Sequence, residues 1–317
     1  MLTTHLAYVA LVVRAPEATA ALFQRDFGLA RTDCTIGETS SRAPVLRIGA
    51  SALALFAPGD AFVEEAARLG VHHIALAAPD PWSVAATAAE AGIDVTELPR
   101  RDGLNGSRRL RLDAQATAGV RTYLVEPLEI ASSGHGLVER IDHLGVASAD
   151  NHAAIDVFAH RLGFPVESTE TDMEVQMAVE SFTSDKYGVV YHNRAPQPVG
   201  GLRVAFMTIG DCELEFLQDF DPRPEGYVAH GQAGTTRQDR GAIARFVTSH
   251  GAGLHHLAIK VEDINAALAA LQQAGHTMID RAGRPGGRRS LIGFVHPKSF
   301  NGLLVHLVQR EEIAPMA

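Results

Sequence analysis

The chain has 317 residues, of which 46% are hydrophobic and 21% are charged, and its formal net charge is −9 at pH 7. This length allows two domains, and the apolar fraction is typical of a globular protein with a sizeable core. The acidic balance disfavours a nucleic-acid partner. No apolar run approaches the ~20 residues of a membrane span, and the N-terminus lacks the features of a signal peptide. We therefore expect a cytoplasmic protein with no membrane partner, whose cysteines, Cys34 and Cys212, are reduced and match no metal-binding spacing.

The predicted elements form four similar groups along the chain. In the first group they are strand 5–13, helix 16–27, and strands 45–49 and 52–56. In the second they are strand 72–77, helix 81–91, and strands near 107–113 and 120–125. In the third they are strand 140–147, helix 151–162, strand signals around 175–180 and 187–192, and strands 202–209 and 212–217. In the fourth they are a leading helix 241–250, strand 255–261, helix 263–274, and strands 291–295 and 302–308.

A short pattern marks the start of each group, in which a histidine on an apolar strand stands seven residues before an aspartate. The three full copies are His73 with Asp80, His143 with Asp150, and His256 with Asp263. A fourth copy has Tyr8 in the histidine position and Ala15 in the aspartate position. Such self-similarity indicates internal repeats, which must be settled before the fold is predicted.

The repeats predict an α+β fold of four βαβββ modules, paired into two similar domains. The second and fourth modules align at a constant offset of 183, which relates Gly70, His73, Gly92 and Gly119 to Gly253, His256, Gly275 and Gly302. One module has a half-open sheet that cannot bury both faces, so two modules should close a concave mixed sheet around a cleft. We place the N-terminal domain at 1–127, the linker at 127–137 and the C-terminal domain at 138–317, with loops at 219–240 and 281–289.

These modules resemble the vicinal oxygen chelate superfamily, which includes glyoxalase I, bleomycin-resistance proteins, methylmalonyl-CoA epimerase, extradiol dioxygenases and 4-hydroxyphenylpyruvate dioxygenase. The matching stretches are Ile141–Ala147, Val204–Met207, Glu213–Leu217, Gly253–Ala258, and Gly293–Ser299 followed by Gly302–Val305. Over about 140–310 the chain looks most like methylmalonyl-CoA epimerase. The two-domain layout is more similar to that of the extradiol and 4-hydroxyphenylpyruvate dioxygenases.

The resemblance implies a divalent metal site in the C-terminal domain. Family ligands lie on the first and last strands of two paired modules, and the corresponding residues are His143, Glu215, His256 and His306. The family has a Glu at the position of His306, and that Glu binds metal and can move protons. Nitrogen and oxygen ligands of this kind suit cobalt, nickel, zinc, manganese or iron, and the ion would polarise a substrate carbonyl. The N-terminal counterparts offer one good ligand and should hold no metal: Tyr8, Ala54, His73 and Tyr123.

Further candidate residues surround this predicted site. Glu213 lies two residues from Glu215 and could act as a base, and His306 is a second catalytic candidate. Four arginines of the 281–289 loop could hold a phosphate or carboxylate: Arg281, Arg284, Arg288 and Arg289. We take Arg288, Arg289 and Lys298 as substrate-binding candidates. By strand alternation, His255 should face away from His256 and be structural.

Three functions remain open from the sequence. The first is a metal-dependent epimerase or isomerase that removes a proton next to a carbonyl. The second is a non-haem Fe(II) dioxygenase that uses two histidines with Glu215 as the carboxylate. The third is a metal-free ligand-sequestering protein. The expected partner is a small molecule with a carbonyl or vicinal oxygens, such as a CoA thioester, and the protein could assemble as a homo-oligomer.

Overall fold

The computed structural model describes most of the chain, namely residues 5–63, 67–98, 102–130, 138–176, 179–193, 197–220 and 240–311. Two of the predicted segments fall largely outside this part. Residues 131–137 of the predicted linker and 221–239 of the predicted loop lie outside the described residues. In the described part, no helix is both long and apolar enough to cross a membrane.

The N-terminal half builds one eight-stranded sheet. Its elements are β1 (His5–Val12), α1 (Pro16–Phe27), β2 (Arg31–Thr35), β3 (Arg42–Ile48), β4 (Ser51–Phe56), β5 (Gly70–Ala77), α2 (Pro81–Glu90), β6 (Val95–Glu97), β7 (Arg109–Leu112) and β8 (Thr122–Val125). The strand order is β2-β3-β4-β1-β5-β8-β7-β6. The two modules meet where β1 pairs antiparallel with β5.

The C-terminal half builds a second eight-stranded sheet. Its elements are β9 (Val138–Ala147), α3 (Asn151–Ile155), β10 (Val166–Gln176), β11 (Val179–Ser184), β12 (Gly188–Asn193), β13 (Gln197–Ile209), β14 (Cys212–Phe220), α4 (Arg240–His250), β15 (Gly253–Val261), α5 (Ile264–Gln273), β16 (Arg284–Pro285), β17 (Leu291–Val295) and β18 (Val305–Gln309). The strand order is β10-β13-β14-β9-β15-β18-β17-β16, and β11 and β12 form a separate hairpin.

The two sheets have the same topology once the β11–β12 hairpin is set aside. In each sheet the first strand of one module pairs antiparallel with the first strand of the other and parallel with the last strand of its own module. Each module therefore runs strand, helix, three strands. The α+β fold of four βαβββ modules predicted from the repeats is confirmed.

The repeated aspartates start the helices that follow the first strands. Asp80 accepts hydrogen bonds from backbone N–H groups of α2, Asp150 from those of α3, and Asp263 from one of α5. A carboxylate in this position satisfies N–H groups that have no partner inside the helix. Ala15 has no capping side chain, and α1 instead begins with Pro16.

Several element boundaries differ from the sequence prediction. The helix predicted at 151–162 is α-helical only to Ile155 and continues as a π-helix over Asp156–Arg161. Strands β2 and β6 were not predicted, because β2 is polar and half-exposed and β6 has three residues, so neither shows alternation. The last strand begins at Val305 rather than at 302, after a 3₁₀ turn over Pro297–Phe300.

The two domains share buried contacts as well as topology. The ring of Phe300 lies 5.2 Å from that of Phe23 and 5.8 Å from that of Phe27, both on α1. Close by, His276 Nε2 lies 2.7 Å from Asp26 Oδ2, and both side chains are buried. The hydrophobic core accordingly continues from one domain into the other.

Candidate metal centre

Four adjacent strands of the second sheet each contribute one polar side chain to the same point. These are Glu215 on β14, His143 on β9, His256 on β15 and His306 on β18. Ring nitrogens of the three histidines lie within 4.8 Å of one another, and the rings are buried. Glu215 Oε2 lies 3.3 Å from His143 Nε2 and 3.6 Å from His256 Nε2. The structure thus brings together all four residues that the resemblance implied.

Several ring nitrogens of these three histidines lack hydrogen-bond partners among the described residues. They are His143 Nε2, His256 Nε2, and both Nδ1 and Nε2 of His306. A buried polar atom without a partner costs about 1–3 kcal/mol. Metal–ligand bonds of ~2.0–2.2 Å place neighbouring donor atoms ~3.0–3.6 Å apart, which matches the spacing around Glu215. The donor set therefore fits a divalent transition metal ion.

The protonation of the four groups follows from burial and from the two nearest carboxylates. Burial opposes the charged form of His143, but Glu215 and Asp142 outweigh it and raise its pKa to about 9. Burial holds the pKa of His256 and of His306 well below the usual range, and neighbouring histidines add to the effect. Burial also opposes ionisation of Glu215, yet His143 keeps its pKa below the usual value. Three donors are ready to bind a cation, and His143 must first lose a proton.

A β-bulge in β9 orients the first of these ligands. Ala258 pairs with His143 and Ile259 with Ile141, which leaves Asp142 as an extra residue in β9. The fully buried Asp142 then places Oδ1 2.8 Å from His143 Nδ1. This contact leaves His143 Nε2 to face the other ligands. A carboxylate behind a ligating histidine is the usual way to fix its orientation.

Two arginines and Glu213 form the wall of the site on the side of β10. Arg288 Nη1 lies 2.5 Å from Glu213 Oε2, and its guanidinium lies 3.7 Å from the centre of the Phe206 ring. Arg310 donates from Nε to Asp142 Oδ2 at 3.0 Å and from Nη2 to Glu213 Oε2 at 3.1 Å. The predicted base Glu213 is therefore held by two cations.

The space at the centre is small and adjoins a larger cavity. The inner cavity, of about 20 Å³, is lined by residues that include His143, Glu215 and His306. This is room for an ion or a single water molecule. A neighbouring cavity of about 410 Å³ is lined by residues that include Glu213, Arg288 and Arg310. The salt-bridged wall thus separates the ligand cluster from space large enough for a substrate.

The other predicted site residues lie outside the two cavities. Arg289 is exposed and Lys298 is exposed on the 3₁₀ turn before β18, and neither lines the site. Arg284 is bonded to Asp280 at 3.1 Å, whereas Arg281 is exposed. Of the arginines predicted in this loop, Arg288 alone reaches the ligand cluster.

The predicted orientation of His255 is wrong. Its Nδ1 lies 3.1 Å from Nδ1 of His256, where strand alternation would have separated the two rings. The reason is a second bulge, since Leu254 pairs with Val146 and His256 with Gly145, which leaves His255 as the extra residue in β15.

Sequence reasoning missed Asp142 and Arg310. For Arg310 a signal was present, because His306, Val308 and Arg310 stand at alternate positions and alternation places them on one face. For Asp142, strand alternation predicts the opposite of what is observed, because adjacent residues of a regular strand face opposite sides of the sheet.

In the N-terminal domain a guanidinium lies among the corresponding residues. The buried Arg109 lies 3.8 Å over the ring of Phe62 and 4.9 Å over that of Tyr123, and it pairs with Asp102 at 2.7 Å. The ring of His73 lies 4.5 Å from that of Tyr123. A fixed positive charge disfavours a second cation here, which supports the prediction that this cleft holds no metal.

Comparisons with known proteins find matches to the C-terminal half of the chain. The sequence model of the "Glyoxalase/Bleomycin resistance protein/Dioxygenase superfamily" matches residues 142–294. The ethylmalonyl-CoA/methylmalonyl-CoA epimerase of Cereibacter sphaeroides is 28% identical over 176 residues, which are 55% of this chain and 99% of that protein. The human mitochondrial methylmalonyl-CoA epimerase is 26% identical over 131 residues, which are 41% of this chain and 64% of that protein.

A solved structure extends the likeness to the whole chain. A mutant of 4-hydroxymandelate synthase from Streptomyces coelicolor superposes with a TM-score of 0.65, at 18% identity, over 100% of this chain and 95% of that one. At this identity the match shows the shared fold. Together with the four-module topology, these matches confirm the resemblance predicted from the sequence: residues 142–294 carry the sequence signature of the glyoxalase, bleomycin resistance protein and dioxygenase superfamily, and the whole chain shares its fold with the 4-hydroxymandelate synthase structure.

Proposed function

We propose that the protein is a divalent-metal-dependent epimerase or isomerase that acts at the carbon next to a carbonyl group. The observation that carries the proposal is the convergence of His143, Glu215, His256 and His306, in which buried histidine nitrogens have no hydrogen-bond partner in the described part of the chain. In this proposal all four bind the ion. Four protein ligands on an ion that takes six leave room for two substrate oxygens. The ion, when bound, would lower the energy of an enolate formed beside it.

Glu213 is the proposed base. It lies on β14 two residues from Glu215, so both side chains project from the same face of the strand. The proton from the substrate carbon would pass to a carboxylate oxygen of Glu213. In the observed state, Arg288 and Arg310 hold both of those oxygens through hydrogen bonds and ion pairs. The base must therefore be released before it can act.

An anionic substrate would provide that release. A carboxylate or thioester-linked acid entering the 410 Å³ cavity would meet Arg288, which lies on the cavity wall. Arg288 would exchange Glu213 for the substrate carboxylate, since guanidinium groups bind carboxylates through paired hydrogen bonds. Arg310 Nη2 would likewise leave Glu213 for the substrate carboxylate, while Arg310 Nε stays on Asp142 and keeps His143 oriented. Two epimerase relatives are named for CoA thioesters of dicarboxylic acids, so we propose this substrate class here.

Isotope exchange tests the proposal. Protein loaded with Co²⁺, Zn²⁺, Ni²⁺ or Mn²⁺ is incubated with methylmalonyl-CoA in D₂O, and deuterium at C2 is measured by mass spectrometry. We expect enzyme-dependent incorporation that falls by at least 100-fold in Glu213→Gln, with metal content unchanged. Glu97→Gln, an exposed carboxylate on β6, is the control. If metal-loaded protein exchanges none of the dicarboxylic-acid CoA thioesters tested, this substrate class is wrong.

A non-haem Fe(II) dioxygenase is the second candidate. The observation that favours it is the close group of Glu215 with His143 and His256, which is the two-histidine, one-carboxylate set typical of such enzymes. Oxygen uptake by Fe(II)-loaded protein in the presence of 2-oxo acids or catechols would favour this function. A metal-free sequestering protein has less support, because it gives no reason for the buried histidine nitrogens that lack hydrogen-bond partners among the described residues.

A further inference from the structure

A second large cavity lies at the junction of the two domains. It has a volume of about 650 Å³, and its walls include the starts of β5 and β15, the residues before β8 and the end of α4. None of its lining residues lines the small cavity at the metal ligands. Its volume is within the ~300–1,000 Å³ typical of small-molecule sites. The proposed metal chemistry makes no use of it.

Two arginines give this cavity a positive charge. Arg68 and Arg121 both line it, and no carboxylate of the described part of the chain pairs with either guanidinium. Arg68 donates to the carbonyl of Leu254 at 3.2 Å and lies 4.2 Å over the ring of Phe246. The carboxylate in the lining is Asp150, which accepts hydrogen bonds from backbone N–H groups of α3. Within the described ranges, therefore, no acid forms an ion pair with either arginine.

A buried histidine adds a hydrogen-bonding atom to the same cavity. His72 is 3% exposed and lines the cavity, and its Nε2 has no partner among the described residues. It is the extra residue of a bulge, since Ala10 pairs with His73 and Leu11 with Val71. Its Nδ1 lies 2.8 Å from Nδ1 of His73. When Nδ1 accepts in that contact, Nε2 carries the proton and is a donor.

The His72 ring is uncharged at neutral pH, as a donor at Nε2 and an acceptor at Nδ1 require. Burial, reinforced by Arg121, Arg109 and Arg68, lowers its pKa to about 4. The ring is thus neutral near pH 7, with one N–H to donate. A buried donor without a partner is costly, and a ligand oxygen would remove that cost.

We propose that this interdomain cavity, lined by Arg68, Arg121 and His72, binds the phosphoryl group of a small organic phosphate. Guanidinium groups match phosphate oxygens in charge and geometry. The volume exceeds that of a bare oxyanion, and Phe246, Val71 and Leu254 supply apolar surface for the rest of the molecule. The site is separate from the proposed metal centre and draws its walls from both domains.

Calorimetric titration with adenosine monophosphate as the organic probe and inorganic phosphate as the bare oxyanion tests the site. We expect adenosine monophosphate to bind more tightly than phosphate, and its affinity to fall at least tenfold in Arg121→Gln. Arg121 is exposed to the cavity, so its replacement should leave the fold intact, which thermal unfolding verifies. Arg281→Gln, an exposed arginine elsewhere, should bind as the parent does. Equal affinity in Arg121→Gln and the parent, or phosphate binding without adenosine monophosphate binding, would overturn the proposal.

A variant of the metal centre separates this site from the proposed function. His306→Ala with all metal removed should bind adenosine monophosphate as tightly as the parent, whether or not the protein is an epimerase. If binding disappears in His306→Ala but persists in Arg121→Gln, the phosphate lies at the metal ligands and the interdomain site is wrong.

Discussion

The imidazole ring of His256 lies directly over the α-carbon of Gly145. A β-carbon built at Gly145 would come within 2.1 Å of Cε1 and 2.3 Å of Nδ1 of that ring. These two residues are paired across β9 and β15, and in the N-terminal sheet the equivalent pair is Ala10 with His73. The single missing methyl group at 145 provides the space for the His256 ring beside the other ligands.

Gly145→Ala should therefore weaken metal binding without unfolding the protein. The added methyl group displaces a buried ring, and close-packed interiors transmit such a shift. We expect the affinity for Zn²⁺ or Co²⁺ to fall at least tenfold, measured by competition with a chelator. Gly251→Ala serves as a control, because nothing lies within 4 Å of a β-carbon there, although its positive φ makes it the more strained change. Equal loss of affinity in both variants would contradict the specific role of Gly145.

His306→Ala should also weaken metal binding and abolish activity. Both ring nitrogens of His306 are buried and have no hydrogen-bond partner within the described ranges, and the ring stacks on Phe294 at 4.2 Å between centres. We expect at least a 100-fold loss of affinity, with circular dichroism unchanged. His306→Glu restores a carboxylate ligand and should retain the metal. The exposed His250→Ala is the control. If His306→Ala binds metal as tightly as the parent, the ligands are His143, Glu215 and His256, which favours the dioxygenase function.

Metal binding should release about one proton near neutral pH. The raised pKa of His143, about 9, means that the free protein carries this proton below pH 9. A metal ion requires the neutral ring, so the two compete for Nε2. Affinity should then rise about tenfold per pH unit up to pH ~9 and level off above it. Calorimetry in buffers of different ionisation enthalpy counts the released protons.

Asp142→Asn provides a matched variant for that experiment. It removes one of the two carboxylates that raise the pKa of His143. The pH above which metal affinity no longer rises should therefore be lower in this variant. A parent protein whose metal affinity does not change between pH 7 and 9 would contradict the assigned protonation of His143.

Arg109→Gln should destabilise the N-terminal domain and leave metal affinity unchanged. The change leaves Asp102 without its ion-pair partner and removes the cation between the rings of Phe62 and Tyr123. Removing one partner of a buried ion pair costs about 3–5 kcal/mol, and the partial exposure of Asp102 should bring the loss to the lower end of that range. Chemical denaturation measures the loss, and Arg108→Gln, at an exposed neighbouring position, should cost less than about 1 kcal/mol. A loss of metal affinity in Arg109→Gln would show that the domains do not have separate roles.

The predictable part of the molecule is the part that repeats. Asp80, Asp150 and Asp263 each stand seven residues after the histidine of their strand, and each caps the helix that follows. The same spacing aligned the strands, and on these strands the family resemblance implied His143, Glu215, His256 and His306 as ligands. Regular alternation then sufficed to place Glu213 on the face of Glu215.

The unpredicted part depends on irregularities that a single sequence does not reveal. Asp142 and His255 are extra residues in bulges, and each turned a side chain toward a neighbour that alternation would have kept apart. Arg288 and Arg289 share positive φ angles of 52° and 56°, and the loop that contains them sends only Arg288 to the site. A run of arginines predicts a positively charged loop, but the backbone path of the loop determines which arginine lies at the site.

Because the guanidinium of Arg109 lies in the N-terminal sheet, the stability of the two sheets should depend on metal to different degrees. The N-terminal sheet holds the guanidinium of its own Arg109 at this position, whereas the C-terminal sheet, in the proposed function, binds a metal ion from solution. Under metal starvation, hydrogen–deuterium exchange should quicken in β9, β14, β15 and β18 while β1, β5 and β8 stay protected. When the activity is lost in this way, the N-terminal sheet should stay folded. The C-terminal sheet should then become ordered against it again when metal is added back.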